Sequence, residues 1–271
     1  MNYLKLTIPA PADLQPSIIY YLSELGFDGF EELQHAVEAY VPENSFDQAA
    51  VNECLKEWEL TYSIATMPQQ NWNQVWESNF DPVVVDDFVA IRAHFHEPIP
   101  EVQHDILITP KMSFGTGHHA TTFMMVQQMK PIDFAGKKVF DFGTGTGILA
   151  ILAEKLGAAS VYAIDNDQWS IDNAIENAAN NHAVNIQLQL ANDASGAAQY
   201  DIILANINKN VILDNLKFLD SQLIKEGVLL LSGLLTEDET DILLACSKYQ
   251  LVHETTVTRN KWICIKLIKQ V

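Results

Sequence analysis

The sequence predicts an α/β protein in two parts, a small α+β unit followed by a larger doubly wound parallel sheet. Three observations carry this. Residues 1–67 read as strand, helix, strand, strand, helix, strand. From residue 118 onward, apolar strand-like runs alternate with helix-like runs, the pattern of βαβ units. Glycines stand at 143, 145 and 147, between one such strand and the next helix.

Within the small unit, residues 3–8 (YLKLTI) alternate as a strand does. Residues 12–26 have helical spacing, with Pro16 near the first turn and Gly26 as the stop. Residues 27–33 and 36–42 form a hairpin pair, 45–59 a helix with Ser45 as its cap, and 60–67 a last strand. That order is the split βαβ, or ferredoxin-like, pattern. Through Thr66 the unit holds only two lysines, Lys5 and Lys56, against eleven carboxylates, a net of −9. The whole chain, with 16 basic and 35 acidic residues, carries −19. A field of that sign repels a phosphate backbone, so nucleic acid is not the expected partner. The small unit suits docking of a basic macromolecule, the alternative being a structural appendage. Residues 68–80 then form a linker helix, with Trp72, Trp76 and Phe80 four apart on one face.

Strands are expected at 82–85, 88–95 and 105–110. The alternating region follows. It has a helix at 118–130, strand 137–143, helix 147–157, strand 160–166, helix 170–183 and strand 185–191. Strand 200–207, helix 211–224, strand 226–233 and helix 236–248 come next, and residues 249–268 close it as two strands around an Arg-Asn turn, an antiparallel edge. The expected domains are thus 1–67 for recognition, 68–80 as linker and 81–271 as the catalytic part. Cys54, Cys246 and Cys264 are odd in number and form no CxxC pair, so neither a disulfide framework nor a zinc knuckle is indicated. No run approaches a membrane span and the start lacks a leader pattern; a soluble, cytoplasmic monomer is expected.

In such sheets ligands bind beyond the carboxyl ends of the strands. The dinucleotide fingerprint G-x-G-x-x-G fails here, because Ile148 stands where its third glycine belongs. Asp141, two residues before the first glycine, would repel a pyrophosphate and suits an ammonium group. Asp165 ends the next strand, where a carboxylate takes both hydroxyls of a ribose. Asp193 follows the strand after that and can receive an adenine amino group. Gly143 and Gly145 let the backbone approach closely. An adenosine bearing an amino acid, S-adenosylmethionine, satisfies all three carboxylates.

The stretches DFGTGTGILAILAEKLGA, AIDND, LANI and LLSGLL resemble the Rossmann-like core of class I methyltransferases. NWNQVWESNFDPVVV and SFGTGHHATT resemble, more narrowly, the bacterial ribosomal protein methyltransferase family PrmA, over nearly the whole chain. The resemblance implies a protein N-methyltransferase acting on lysine and α-amino groups of large-subunit ribosomal protein eleven, with trimethylation. It implies cofactor contacts at Thr122, Gly143, Asp165 and Asn206, and a loop over the methionine part at Phe114, Gly115 and Thr116. The chain departs from the family pattern at His119-Ala120, Thr144, Thr146 and Asn208. None of these removes a cofactor contact; Asn208 bears on the target pocket. Another protein, a small molecule or RNA as methyl acceptor stays open, as does a nonenzymatic scaffold.

Methylation of an amine needs a neutral lone pair, a dry slot and an acceptor that orients the N–H. Asn206, at the end of its strand, is the candidate for that acceptor, or is a cofactor contact, or both. His118 with His119, and His94 with His96 on a strand face, lack carboxylate or cysteine partners at ligand spacing, so no metal is expected.

Overall fold

Strand β1 (Tyr3–Pro9) buries Leu4, Leu6 and Ile8 and turns Lys5 and Thr7 to the other face, the period-two pattern of a sheet covered on one side. β3 (Ala36–Pro42) does the same with Val37, Ala39 and Val41. With β2 (Gly29–Leu33) and β4 (Ser63–Met67) these form an antiparallel sheet in the order β2-β3-β1-β4. Helices α1 (Gln15–Glu24) and α2 (Gln48–Lys56) supply Ile18, Leu22, Val51 and Leu55 to its core. The element order is the one expected from the sequence. One local expectation is corrected: α2 is capped by Asp47, not Ser45. Glu43–Ser45 form a 3-10 turn, and Asp47 Oδ1 accepts the N–H groups of Ala49 and Ala50 at 2.9 and 3.1 Å. On the uncovered face, Glu38 accepts from Lys5 at 2.7 Å and from the Tyr40 hydroxyl at 3.0 Å.

These elements belong to a computed structural model that describes residues 3–56, 58–67, 81–109 and 117–270. Its contacts divide the chain into two units, Met1–Phe80 and Asp81–Val271. The expected linker helix at 68–80, with Trp72, Trp76 and Phe80, lies outside the described residues, as do Phe114, Gly115 and Thr116.

The second unit opens with a small mixed sheet. β5 (Val83–Val85) is antiparallel to β6 (Val89–Ala93), and β7 (His104–Ile108) is parallel to β6. Arg92 forks onto the Asp105 carboxylate at 2.7–3.1 Å and ties β6 to β7. β6 ends at Ala93, so His94 and His96 lie in the following turn around Phe95, not on a strand face.

The main sheet comprises β8 (Lys138–Phe142), β9 (Ser160–Asp165), β10 (Ile186–Leu190), β11 (Tyr200–Asn206), β12 (Leu223–Leu235), β13 (Leu251–Arg259) and β14 (Trp262–Lys269). Their order is β10-β9-β8-β11-β12-β14-β13. The first five run parallel; β14 is antiparallel to β12 and to β13, so the reversed strand is the inner member of the closing hairpin. α3 (Ala120–Met129) precedes the sheet and packs on β12 and β14. α4 (Ile148–Lys155), α5 (Gln168–Asn180), α6 (Lys209–Gln222) and α7 (Glu239–Cys246) are the connections. β8 and β11 are near-continuous apolar runs because helices cover both faces. Residues 191–199 join β10 to β11 without a helix. α5 starts at Gln168, two residues before the expected position, because Asp167 accepts the N–H groups of Trp169 and Ser170 and caps it there. Asn208 caps α6 in the same way, through the N–H of Val211 at 3.1 Å. Among the described residues no helix is long and apolar enough to cross a membrane.

Candidate active site

β8 and β11 are neighbours at the point where the strand order reverses. Their ends set Gly143 beside Asn206, since Phe142 pairs with Ala205. A cavity of about 440 Å³ opens there, with Gly143, Gly145, Asp165, Asn206, His119 and Trp262 on its wall.

Gly143 has φ +78°, and a Cβ there would overlap the Cγ2 of Ile207, so only glycine fits. The loop after β8 is pinned to β9: the N–H groups of Gly143 and Thr144 both donate to the Ile164 carbonyl at 2.9 Å. Gly145 N–H donates to Asp165 Oδ2 at 2.9 Å, and Asp167 N–H to Asp165 Oδ1 at 3.0 Å. The Asp165 carboxylate is thereby fixed at the cavity rim with lone pairs left for a ligand's hydroxyls.

Asn206 is buried, and its Nδ2 donates to Thr122 Oγ1 at 3.2 Å. That bond fixes the amide so that Oδ1 is an acceptor, and Oδ1 has no hydrogen-bond partner among the described residues. A buried acceptor left unpaired costs on the order of 1–3 kcal/mol, which a ligand donor would recover. Thr122, Gly143 and Asn206 also enclose a small adjoining space under the glycine loop.

Two expected ligands stand elsewhere. Asp141 is fully buried beneath the loop and absent from the cavity wall; its Oδ2 accepts from Thr144 Oγ1 at 2.6 Å and its Oδ1 is unpaired. Burial pushes its carboxyl up to about 7, against the lowering effect of the Thr144 hydrogen bond. Asp193 is exposed and turned into its own loop, where hydrogen bonds from Ser195 hold its carboxyl below the ordinary value. Its neighbour Asn192 takes the place on the wall. The loop bends at Asp193 to close on Ser195, and so points the preceding side chain inward.

The histidines hold the loop entering α3. His119 caps that helix, with Nδ1 at 2.8 Å from Thr121 Oγ1, and His118 Nε2 donates to the Asp81 carbonyl at 2.8 Å. The His119 ring meets Trp262 edge-on, with centroids 4.6 Å apart. Among the described residues no three His, Cys, Asp or Glu side chains gather as metal ligands would. Trp262 was missed by sequence reasoning: it begins the last strand, and nothing in its local spacing separates it from a packing residue.

The donors and acceptors fit S-adenosylmethionine. Asp165 and the Asn206 oxygen offer acceptors to a ligand, and Gly143 and Gly145 leave the backbone open to close approach. Residues 23–270 match the family described as Ribosomal protein L11 methyltransferase (PrmA). The chain belongs to that family. A ribosomal protein L11 methyltransferase of Porphyromonas gingivalis is 41% identical over 255 residues, covering 90% of this chain and 87% of that protein. One from Chlorobaculum tepidum is 37% identical, covering 97% of this chain and 95% of that protein. The crystal structure of the ribosomal protein L11 methylase of Lactobacillus delbrueckii subsp. bulgaricus is 30% identical and superposes with TM-score 0.66, covering 71% of this chain and all of that one. The family is one of methyltransferases, and S-adenosylmethionine is its methyl donor.

Proposed function

We propose that this chain transfers methyl groups to amino groups of ribosomal protein L11, both lysine side chains and the α-amine. The observation that carries the mechanism is the Asn206 amide, held by Thr122 with its oxygen free at the end of β11. S-adenosylmethionine, when bound, supplies a methyl group activated by the sulfonium. The protein's part is positioning and desolvation. Asn206 Oδ1 accepts one N–H of the incoming amine and aims its lone pair across the cavity. Trp262, Ile207 and Val211 give the slot an apolar wall. Burial there favours the neutral amine over ammonium, so no strong base is required, and the proton lost after transfer leaves to solvent.

The amino-terminal unit, residues 1–67 in our reading, is a ferredoxin-like recognition domain, joined by a linker at 68–80. Its net charge of −9 supports docking of a basic protein over RNA. The enzyme works as a cytoplasmic monomer; Phe114, Gly115 and Thr116 contact the cofactor, while Asp141 supports the glycine loop from beneath through Thr144 and Asp193 stays in its own loop. Incubation with purified L11 and methyl-labelled S-adenosylmethionine, followed by mass spectrometry of L11, tests the reading. Methylated lysine and α-amine are the expected products. Label in RNA or in no acceptor would overturn it.

A further inference from the structure

Helix α5 and its C-cap residue carry asparagines at 173, 177 and 181, and they bond β7 and its exit as a neighbouring strand would. Asn181 Oδ1 accepts Leu107 N–H at 2.9 Å and its Nδ2 donates to the Leu107 carbonyl at 2.6 Å. Asn177 Oδ1 accepts Thr109 N–H at 2.7 Å, and Asn173 Nδ2 donates to the Thr109 carbonyl at 3.1 Å. One helical turn advances about 5.4 Å and two strand residues about 6.6 Å, so Asn181 and Asn177 reach the alternate residues Leu107 and Thr109, and Asn173 shares Thr109 with Asn177.

Asn177 does something its neighbour Asn181 does not. Its Nδ2 donates to the Thr146 carbonyl at 2.8 Å, inside the glycine loop. Asn177 and Thr146 are both fully buried. The next residue, Gly147, has φ +82°, and a Cβ there would stand 3.2 Å from the Cβ of Ala174, so α5 lies directly against the loop. Three glycines make this loop conformationally free on its own. Ile164 and Asp165 hold its first half. Asn177 holds its second.

We propose that Asn177 is a positioning residue for the cofactor seat, locking the Thr146 carbonyl to the exit of β7 so that the Gly143–Gly147 loop keeps its binding shape. This rests on the loop being the seat of S-adenosylmethionine. A purely structural asparagine would behave like Asn181, which bonds the backbone of β7 without touching the loop.

The test uses the full-length chain and three variants. Asn177→Ala removes both bonds; Asn177→Asp keeps the acceptor for Thr109 and removes the donor to Thr146; Asn181→Ala is the structural control. Calorimetry gives Kd for S-adenosylmethionine, thermal melting gives Tm, and kinetics separate kcat from the cofactor KM. Both Asn177 variants should weaken cofactor binding about tenfold, the effect of one lost charge-free buried hydrogen bond and its loop shift, with kcat at saturation within about threefold. Asn181→Ala should lower Tm while leaving Kd within about twofold of the parent. Cofactor affinity that is unchanged in Asn177→Asp, or that merely follows Tm across all three, overturns the proposal. So does failure of both Asn177 variants to fold beside a folded Asn181→Ala. Absence of cofactor binding by the parent chain would instead overturn the reading of the loop.

Discussion

Asn206 has its role set by a neighbour 84 positions away in sequence: Thr122 takes an N–H and leaves the oxygen for the ligand. Replacing Asn206 by Ala should keep the cofactor Kd within severalfold and lower kcat about 100-fold, the scale of a misaligned reacting group. Calorimetry beside a methyl-transfer assay checks both halves. Asp141 gives a second residue-scale expectation. Its folded pKa is raised from 3.8 to about 7, so between those values the folded chain holds a proton that the unfolded chain has released. Stability from this site is therefore full below pH 4 and falls as pH rises towards 7, by on the order of 4 kcal/mol. Denaturant titrations of the parent and Asp141→Asn at pH 4, 5, 6 and 7 should show the parent losing ground to the variant along that series.

At the scale of elements, β7 is an edge strand whose open side is closed by side chains of α5 rather than by another strand. Pairing of that kind answers the hydrogen-bond demand of an edge and removes a site for aggregation. Asn181→Ala breaks bonds to both backbone groups of Leu107 and to the Asn177 carbonyl. A loss of about 2 kcal/mol of unfolding free energy is expected, measured by denaturant titration. Caps explain where the element boundaries moved. Asp47, Asp167 and Asn208 each satisfy helix N–H groups, and each sets a start that hydrophobic spacing alone misplaces by about two residues. The strands were legible from their apolar runs. The pairing of β5, β6 and β7 into a separate sheet was not, because three short apolar runs carry no mark of their partners.

At the scale of the whole molecule, each unit has its own core, one built on Leu6, Ile8 and Leu22, the other on Phe140, Ile203 and Leu231. A chain of residues 68–271 should therefore still bind S-adenosylmethionine while losing methyl transfer to L11. Calorimetry and the labelling assay, run on one preparation, separate these outcomes. Full activity of the shortened chain would remove the recognition role of the first unit. The net charge of −9 on that unit adds that the KM for L11 should rise with salt, since screening weakens attraction between opposite charges.

The sequence by itself determined the two-part α/β layout, the glycine loop at 143–147 and the carboxylate at Asp165, because periodicity, turn residues and strand ends are local properties. Gly143, Asp165 and Asn206 line the cavity because their backbone position alone places them at or just past a strand end. Only the tertiary structure decided which polar groups face the cavity. It turned Asp141 beneath the loop, Asp193 outward and Asn192 in, because rotamers and loop bends answer to packing and hydrogen bonds rather than to position in the chain. It also joined His119 to Trp262, and Asn177 to Thr146, pairs distant in sequence that meet where the helices close on the sheet.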